Sequence, residues 1–167
     1  MRHMGNLTVT AENVHDFPAA DEIYGHLTIS AGAKLTAPRL TMVRGWVTLA
    51  HSASLSAEQL GVIEGWLTLR DNAMLRAPNL RTVTQDVGFW PGATVYDMHP
   101  DISFSSVGSI SVQRGALVSL PALDFVKTNV TVLQGGTLHA ASLKAVGGSI
   151  TLREGAHLEA PELAHIG

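Results

Sequence analysis

Hydrophobic residues recur along this chain at two spacings, one short and one long. Within short segments such as Leu27-Thr28-Ile29, apolar and polar residues alternate, which predicts a β-strand with one buried face. The same alternation returns twenty residues later at Val47-Thr48-Leu49, and again at Leu67-Thr68-Leu69. A fixed period of this length is typical of solenoid proteins, in which each repeat is one coil stacked on the next.

The repeats align without gaps over much of the chain. Twenty-residue segments that begin at Gly25, Gly45 and Gly65 share the consensus Gly-x-Leu-Thr-Leu-x-x-Gly/Asn-Ala-x-Leu-x-Ala-Pro-x-Leu-x-x-Val-x, whose positions we call places one to twenty. Eight coils are predicted, with first residues near positions 5, 25, 45, 65, 85, 108, 128 and 148. The fifth coil fits when an insertion is placed at 96–103 and one residue is lost before Gly108. Residues 1–167 are therefore expected to form a single solenoid domain.

Three parts of each coil carry aliphatic residues, at places three and five, at place eleven, and at places sixteen and nineteen. Place eight holds residues that tolerate a left-handed backbone, such as Gly32 and Asn72, and place fourteen is often proline, which cannot donate to a strand ladder. A helix and a strand per coil do not fit between such closely spaced bends. The pattern predicts an all-β fold, a single right-handed β-solenoid filled by aliphatic ladders.

Counted from place sixteen, the unit reads Leu-x-x-Val-x-Gly-x-Leu-x-Leu-x-x-Asn/Gly-Ala-x-Leu, as in Leu60 to Leu75. This pattern resembles the leucine-rich repeat superfamily, and in particular repeats of the receptor L-domain type. The resemblance implies partner binding on an exposed strand face, without catalysis. One departure is that two residues separate Asn72 from Leu75, where a standard leucine-rich repeat has one. Pentapeptide repeats also use twenty residues per coil, but their five-residue rhythm is not present.

Composition narrows the functional classes. A formal charge of -3 and only 15% charged residues provide no basic field for nucleic acid and no polybasic membrane patch, and no apolar run is long enough to span a bilayer. The absence of cysteine excludes thiolate catalysis and cysteine-ligated metals. Because the common enzyme motifs are also missing, we predict no catalytic residue, no cofactor and no metal, and a β-solenoid enzyme is the third interpretation.

Large aromatic residues cluster on one predicted outward face. His26, Trp46 and Trp66 occupy place two of successive coils, while Trp90 stands at place six of the fifth coil, beside the place of Arg70. Exposed tryptophans are enriched at binding hot spots, so this face is predicted to bind a protein or glycan partner. The alternative is that the rings only stack on one another, or that the inserted loop covers them.

The insertion supplies the remaining candidate binding residues, Tyr96, Asp97 and His99, because insertions in repeat proteins often lie on the binding face. Asp97, His99 and Asp101 alternate in the way that metal ligands can, but a fourth ligand is missing, so no metal site is assigned. An ordinary solvated loop is the alternative interpretation.

The outward residue at place four is threonine or serine in all coils but one, where Gly88 stands. We interpret this column as strand stabilisation rather than as an ice-binding face, because the flanking places are mixed. Terminal coils of a solenoid expose core and strand edges, which predicts either a longer parent repeat protein or a homo-oligomer through the solenoid ends. The predicted function is a non-catalytic recognition or scaffold module, with a self-assembling structural protein as the alternative.

Overall fold

A computed structural model describes residues 1–17, 19–96 and 106–167, and it confirms a β-solenoid. Within these residues there are 24 short strands and one 3-10 helix, Val14–Asp16. All strand pairs are parallel, and partners lie about one coil apart in sequence. Leu27 pairs with Val47, and Val47 pairs with Leu67, so the predicted stacking of equivalent aliphatic residues is confirmed.

The first side of the tube is an eight-stranded sheet built from places three to five. In the inner coils each strand buries two apolar side chains and turns its middle residue outward, as the alternation predicts. In spatial order the strands are β2 (Leu7–Val9), β4 (Leu27–Ile29), β7 (Val47–Leu49), β10 (Leu67–Leu69), β13 (Val87–Phe89), β16 (Ile110–Val112), β19 (Val130–Val132) and β22 (Ile150–Leu152).

The second side is a nine-stranded sheet built around place nineteen. Its members are β1 (Arg2–Met4), β3 (Glu22–Tyr24), β6 (Met42–Val43), β9 (Val62–Ile63), β12 (Thr82–Val83), β15 (Ser106–Val107), β18 (Phe125–Val126), β21 (Ala145–Val146) and β24 (His165–Ile166). Strand β1 precedes the first predicted coil, and the repeat pattern missed it. The reason is that His3, which pairs with Ile23, stands where the pattern requires an aliphatic residue.

The third side is divided into two sheets that no hydrogen-bonded strand pair joins within the described residues. The first contains β5 (Lys34–Thr36), β8 (Ser54–Ser56), β11 (Met74–Arg76) and β14 (Thr94–Tyr96), and the second contains β17 (Leu117–Ser119), β20 (Thr137–His139) and β23 (His157–Glu159). The division coincides with the predicted insertion, since nine residues separate β14 from β15 but only five separate β11 from β12. Apart from the backbone of Tyr96, the insertion lies outside the described residues.

Side chains from all three sides fill the tube. In the third coil Val47, Leu49, Leu55, Leu60 and Ile63 are at most 1% exposed, and alanines at places nine and thirteen are buried between these ladders. The described residues include no buried polar or charged residue. Nor do they include a helix with the length and apolarity needed to cross a bilayer.

The predicted bends are also confirmed. All six residues predicted at place eight to tolerate a left-handed backbone have a positive φ, namely Gly32, Asn72, Gly92, Gly115, Gly135 and Gly155. Ser52 adopts the same conformation, with φ 55°, although serine rarely does so. Prolines at place fourteen, such as Pro38 and Pro78, lie in the turns between the third and second sides.

Candidate functional site

Three aromatic rings form a continuous column along the outward face of the first sheet. The ring centroids of His26 and Trp46 lie 3.2 Å apart with an interplanar angle of 7°, and those of Trp46 and Trp66 lie 4.9 Å apart at 10°. The in-register pairing of β4, β7 and β10 sets this spacing, because place two of each coil lies directly beside place two of the next. The column ends at Trp66, whose residue surface is 42% exposed.

His26 is held at the start of the column by its backbone environment. Its amide N–H donates to Oδ1 of Asn6 at 2.9 Å, and its Nδ1 accepts the amide N–H of Trp46 at 3.2 Å. The neutral ring therefore carries its proton on Nε2. A Cβ on Gly45 would lie 2.1 Å from Nδ1 of His26, so glycine at place one is what allows the imidazole to reach the next coil.

Elsewhere at place two, polar side chains accept the amide N–H of the next coil. Oδ1 of Asp86 accepts the N–H of Ser109 at 2.9 Å, and Oδ1 of Asn129 accepts the N–H of Ser149 at 2.9 Å. An indole has an N–H donor but no acceptor, so the side chains of Trp46 and Trp66 cannot accept the amide N–H of the following coil. Between the third and fourth coils, stacking of Trp46 on Trp66 stands in place of this hydrogen bond.

Trp90 belongs to a second cluster, four places farther along the strand direction. The guanidinium carbon of Arg70 lies 5.1 Å from the Trp90 ring centroid, a cation–π contact. The indole also covers Gly88, because a Cβ on that residue would lie 2.8 Å from Cζ3 of Trp90. The gap in the threonine column is therefore occupied by the Trp90 ring.

A second column, formed by Tyr24, Arg44 and Glu64 at place twenty, runs beside the aromatic column, on the other side of the place-one glycines. Arg2 and Arg44 lie over the Tyr24 ring, 5.6 and 4.7 Å from its centroid, and Arg44 pairs with Glu64 at 2.9 Å. A side-chain hydrogen bond with Tyr24 and, less strongly, the charge of Glu64 raise the pKa of Arg44 above its ordinary value. A shallow pocket of about 220 Å³ lies between the two columns and is lined by Tyr24, Gly25, His26, Arg44 and Gly45.

The predicted binding residues thus fall into three groups. His26, Trp46 and Trp66 form one column, and Trp90 lies against Arg70. Asp97, His99 and the side chain of Tyr96 lie outside the described residues, as does Asp101.

Two residues beside the column, Tyr24 and Arg44, were not predicted. The signal that could have found them is their position at place twenty, directly before the place-one glycine of a coil whose place two is aromatic. Metal coordination has no support in the described ranges, where no three His, Asp or Glu residues converge.

Comparisons with protein-family models, with curated proteins and with solved structures return no match for this chain. Its fold is therefore assigned from its own strand pairing.

Proposed function

We propose that this chain is a non-catalytic recognition or scaffold module that binds a protein or glycan partner on the outward face of the first sheet. The observation that supports this most directly is Trp66, a large aromatic residue that is 42% exposed at the end of a stacked column. The resemblance to receptor L-domain-type leucine-rich repeats agrees with this proposal, since that resemblance implies binding on the same kind of strand face.

The aromatic column also has the rigidity that favours binding. Two stacking contacts and the hydrogen bond from Trp46 to His26 fix the ring positions before any partner arrives. Side chains that are already ordered lose little conformational entropy on association, so more of the contact energy contributes to affinity. Tryptophan is among the residues most enriched at binding hot spots.

Paired substitutions test this proposal. We expect the double variant Trp46→Ala and Trp66→Ala to lose capture of oligosaccharides on a glycan array or of a protein partner in a pull-down, with an unchanged circular dichroism spectrum. The matched control is Ser149→Ala, which changes the same place of the eighth coil, where the neighbouring residues are polar. A partner that both variants retain equally would show that the aromatic column is not the binding site.

A second candidate function, self-assembly through the solenoid ends, rests on the eighth coil. Leu152 is 48% exposed and Ile166 is 57% exposed, whereas their counterparts one coil earlier, Val132 and Val146, are at most 1% exposed. A second copy that stacked on this end would cover the aliphatic residues and pair the strand edges. Light scattering across a dilution series tests this, since a mass that does not change with concentration and equals one chain contradicts it.

A further inference from the structure

The described part of the chain contains three arginines that lie over aromatic rings, and two of them are also paired with a carboxylate. Arg44 lies over Tyr24 and pairs with Glu64, and Arg2 also lies over Tyr24 and pairs with Glu22 at 3.4 Å. The third arginine covers Trp90. Guanidinium, aromatic ring and carboxylate are therefore combined on neighbouring rungs at Tyr24, and a guanidinium covers an aromatic ring again at Trp90.

Trp66 stands in a similar setting but lacks the cation. One of its faces lies against Trp46, and the next rung on its other side carries Asp86. The backbones of these two rungs are directly bonded, since the N–H of Leu67 donates to the carbonyl of Asp86 at 3.0 Å. Among the described residues, no cation lies over Trp66 and no basic side chain pairs with Asp86.

The Asp86 carboxylate is held in one orientation by a hydrogen bond to one of its two oxygens. Oδ1 accepts the amide N–H of Ser109 at 2.9 Å, which fixes the side chain and leaves Oδ2 as a second acceptor. Asp86 is exposed, so this negative charge lies at the surface, one rung from the open side of Trp66. An aromatic face beside a carboxylate favours a planar cation over a neutral sugar.

We propose that Trp66 and Asp86 form a binding site for an arginine side chain of a polypeptide partner. The guanidinium lies over the free side of the Trp66 ring, as Arg44 lies over Tyr24 at 4.7 Å, and donates to the Asp86 carboxylate. This inference rests on the proposed recognition function and specifies its partner chemistry. A single such contact is weak in water, so binding by a whole partner would combine it with neighbouring contacts.

Nuclear magnetic resonance of the full ¹⁵N-labelled chain tests the site, because the three tryptophans give three indole Nε1–H signals. The variants Trp66→Phe and Trp90→Phe identify the Trp66 and Trp90 signals. The probe is an acetylated and amidated Gly-Gly-Arg-Gly-Gly peptide, titrated to concentrations of ~10 mM, the range in which single weak contacts are measurable. The matched probe contains citrulline, which has nearly the same shape as arginine but no charge. We expect the Trp66 signal to move with the arginine peptide and the Trp90 signal, whose ring is already covered by Arg70, to move much less.

Asp86→Asn tests the role of charge, because asparagine keeps the acceptor for the Ser109 N–H and removes only the carboxylate. We expect this variant, and the citrulline peptide with the unaltered chain, to reduce affinity by about fivefold or more, since charge-assisted hydrogen bonds are roughly twice as strong as neutral ones. The control Asn129→Asp places a carboxylate at the same place of the seventh coil, far from an indole, and should leave the titration unchanged.

Three results would overturn the proposed arginine site. They are an unmoved Trp66 signal, an equal response to the citrulline peptide, and full binding by Asp86→Asn. If neutral oligosaccharides move the Trp66 signal while the arginine peptide does not, the arginine site is wrong and the recognition function stands. If Trp46→Ala with Trp66→Ala retains every partner, the recognition surface itself is wrong.

Discussion

At the scale of single residues, the interrupted threonine column shows how one side chain determines what its neighbours can be. Equivalent outward residues on neighbouring parallel strands lie side by side, and matched hydroxyl-bearing residues there stabilise a sheet by about 0.2 to 1 kcal/mol per pair. Thr68 pairs with Gly88, and Gly88 pairs with Ser111. Because glycine has no side chain, two contacts between matched outward side chains are missing here. They are missing because the indole of Trp90 occupies the space that a side chain would fill.

Restoring the consensus at this position should therefore destabilise the protein. We expect Gly88→Thr to lower the free energy of unfolding by about 1 to 3 kcal/mol, because its Cβ would lie 2.8 Å from the Trp90 ring and must displace it. Urea unfolding measures the change, and a red shift of tryptophan fluorescence reports displacement of the indole.

Two further variants serve as controls for this prediction. Ser111→Thr makes the same kind of substitution one coil later and should change stability by less than about 0.5 kcal/mol. Combining Gly88→Thr with Trp90→Ala should recover much of the loss. If Gly88→Thr is as stable as the original chain, the indole does not constrain residue 88.

The candidate site could be predicted from sequence only in part. Place two faces outward in every coil, so the presence of His26, Trp46 and Trp66 on one column follows from the repeat alone. The bond from the Trp46 amide to Nδ1 of His26 does not follow, because it depends on side-chain rotamers and on the missing Cβ of Gly45. The open position beside Trp66 depends on which side chains of the described residues lie over its ring, which only the three-dimensional arrangement reveals.

At the scale of strands, the repeat predicts nearly all of the pairing because a twenty-residue period leaves one in-register solution. A slip by one residue would turn each buried aliphatic residue outward. What the repeat cannot predict is a strand without its aliphatic residue, such as Arg2–Met4, or a rung whose pairing fails beside an insertion. The unpaired edges of β14 and β17 are an example of the second kind.

The missing pairing between β14 and β17 should be visible as weak protection of the Leu117 amide from hydrogen exchange. The N–H of Thr137, at place ten of the seventh coil, donates to the carbonyl of Ala116 at 2.8 Å. The N–H of Leu117, at the same place one coil earlier, has no equivalent bond to Ala93 within the described residues. We expect the Leu117 amide to exchange about tenfold or more faster than the Thr137 amide, because it opens without breaking a ladder bond.

Residue-resolved exchange measured by nuclear magnetic resonance checks this expectation. The Met74 amide, which donates to the carbonyl of Ala53 at 2.9 Å, is a second reference on the same side of the tube. Equal protection of Leu117, Thr137 and Met74 would mean that the ladder is continuous across the fifth and sixth coils.

At the scale of the whole molecule, the two ends of the solenoid differ in how they cover the core. Near the N-terminal end, the 3-10 helix Val14–Asp16 replaces a strand, and Val14 and Phe17 pack against the core cluster. The eighth coil has regular strands on all three sides, so its outer edges present unpaired backbone groups together with exposed Leu152 and Ile166. The N-terminal end also exposes apolar side chains, since Met1 is 70% and Met4 73% exposed, so the two ends differ in their strands rather than in having apolar surface.

Charged substitutions at the eighth coil distinguish assembly through this end from association through the side of the tube. If copies stack on the eighth coil, the chain should gain mass with concentration, and Leu152→Lys with Ile166→Lys should abolish that gain, because a lysine at each edge would have to be buried between copies. The control is Leu117→Lys, since Leu117 is 65% exposed on the side of the tube rather than at its end. Sedimentation equilibrium over a range of concentrations gives the mass of the original chain, the double variant and the Leu117→Lys control. Loss of association in Leu117→Lys but not in the double variant would place the interface on the side, and a single-chain mass for all three would exclude assembly through the eighth coil.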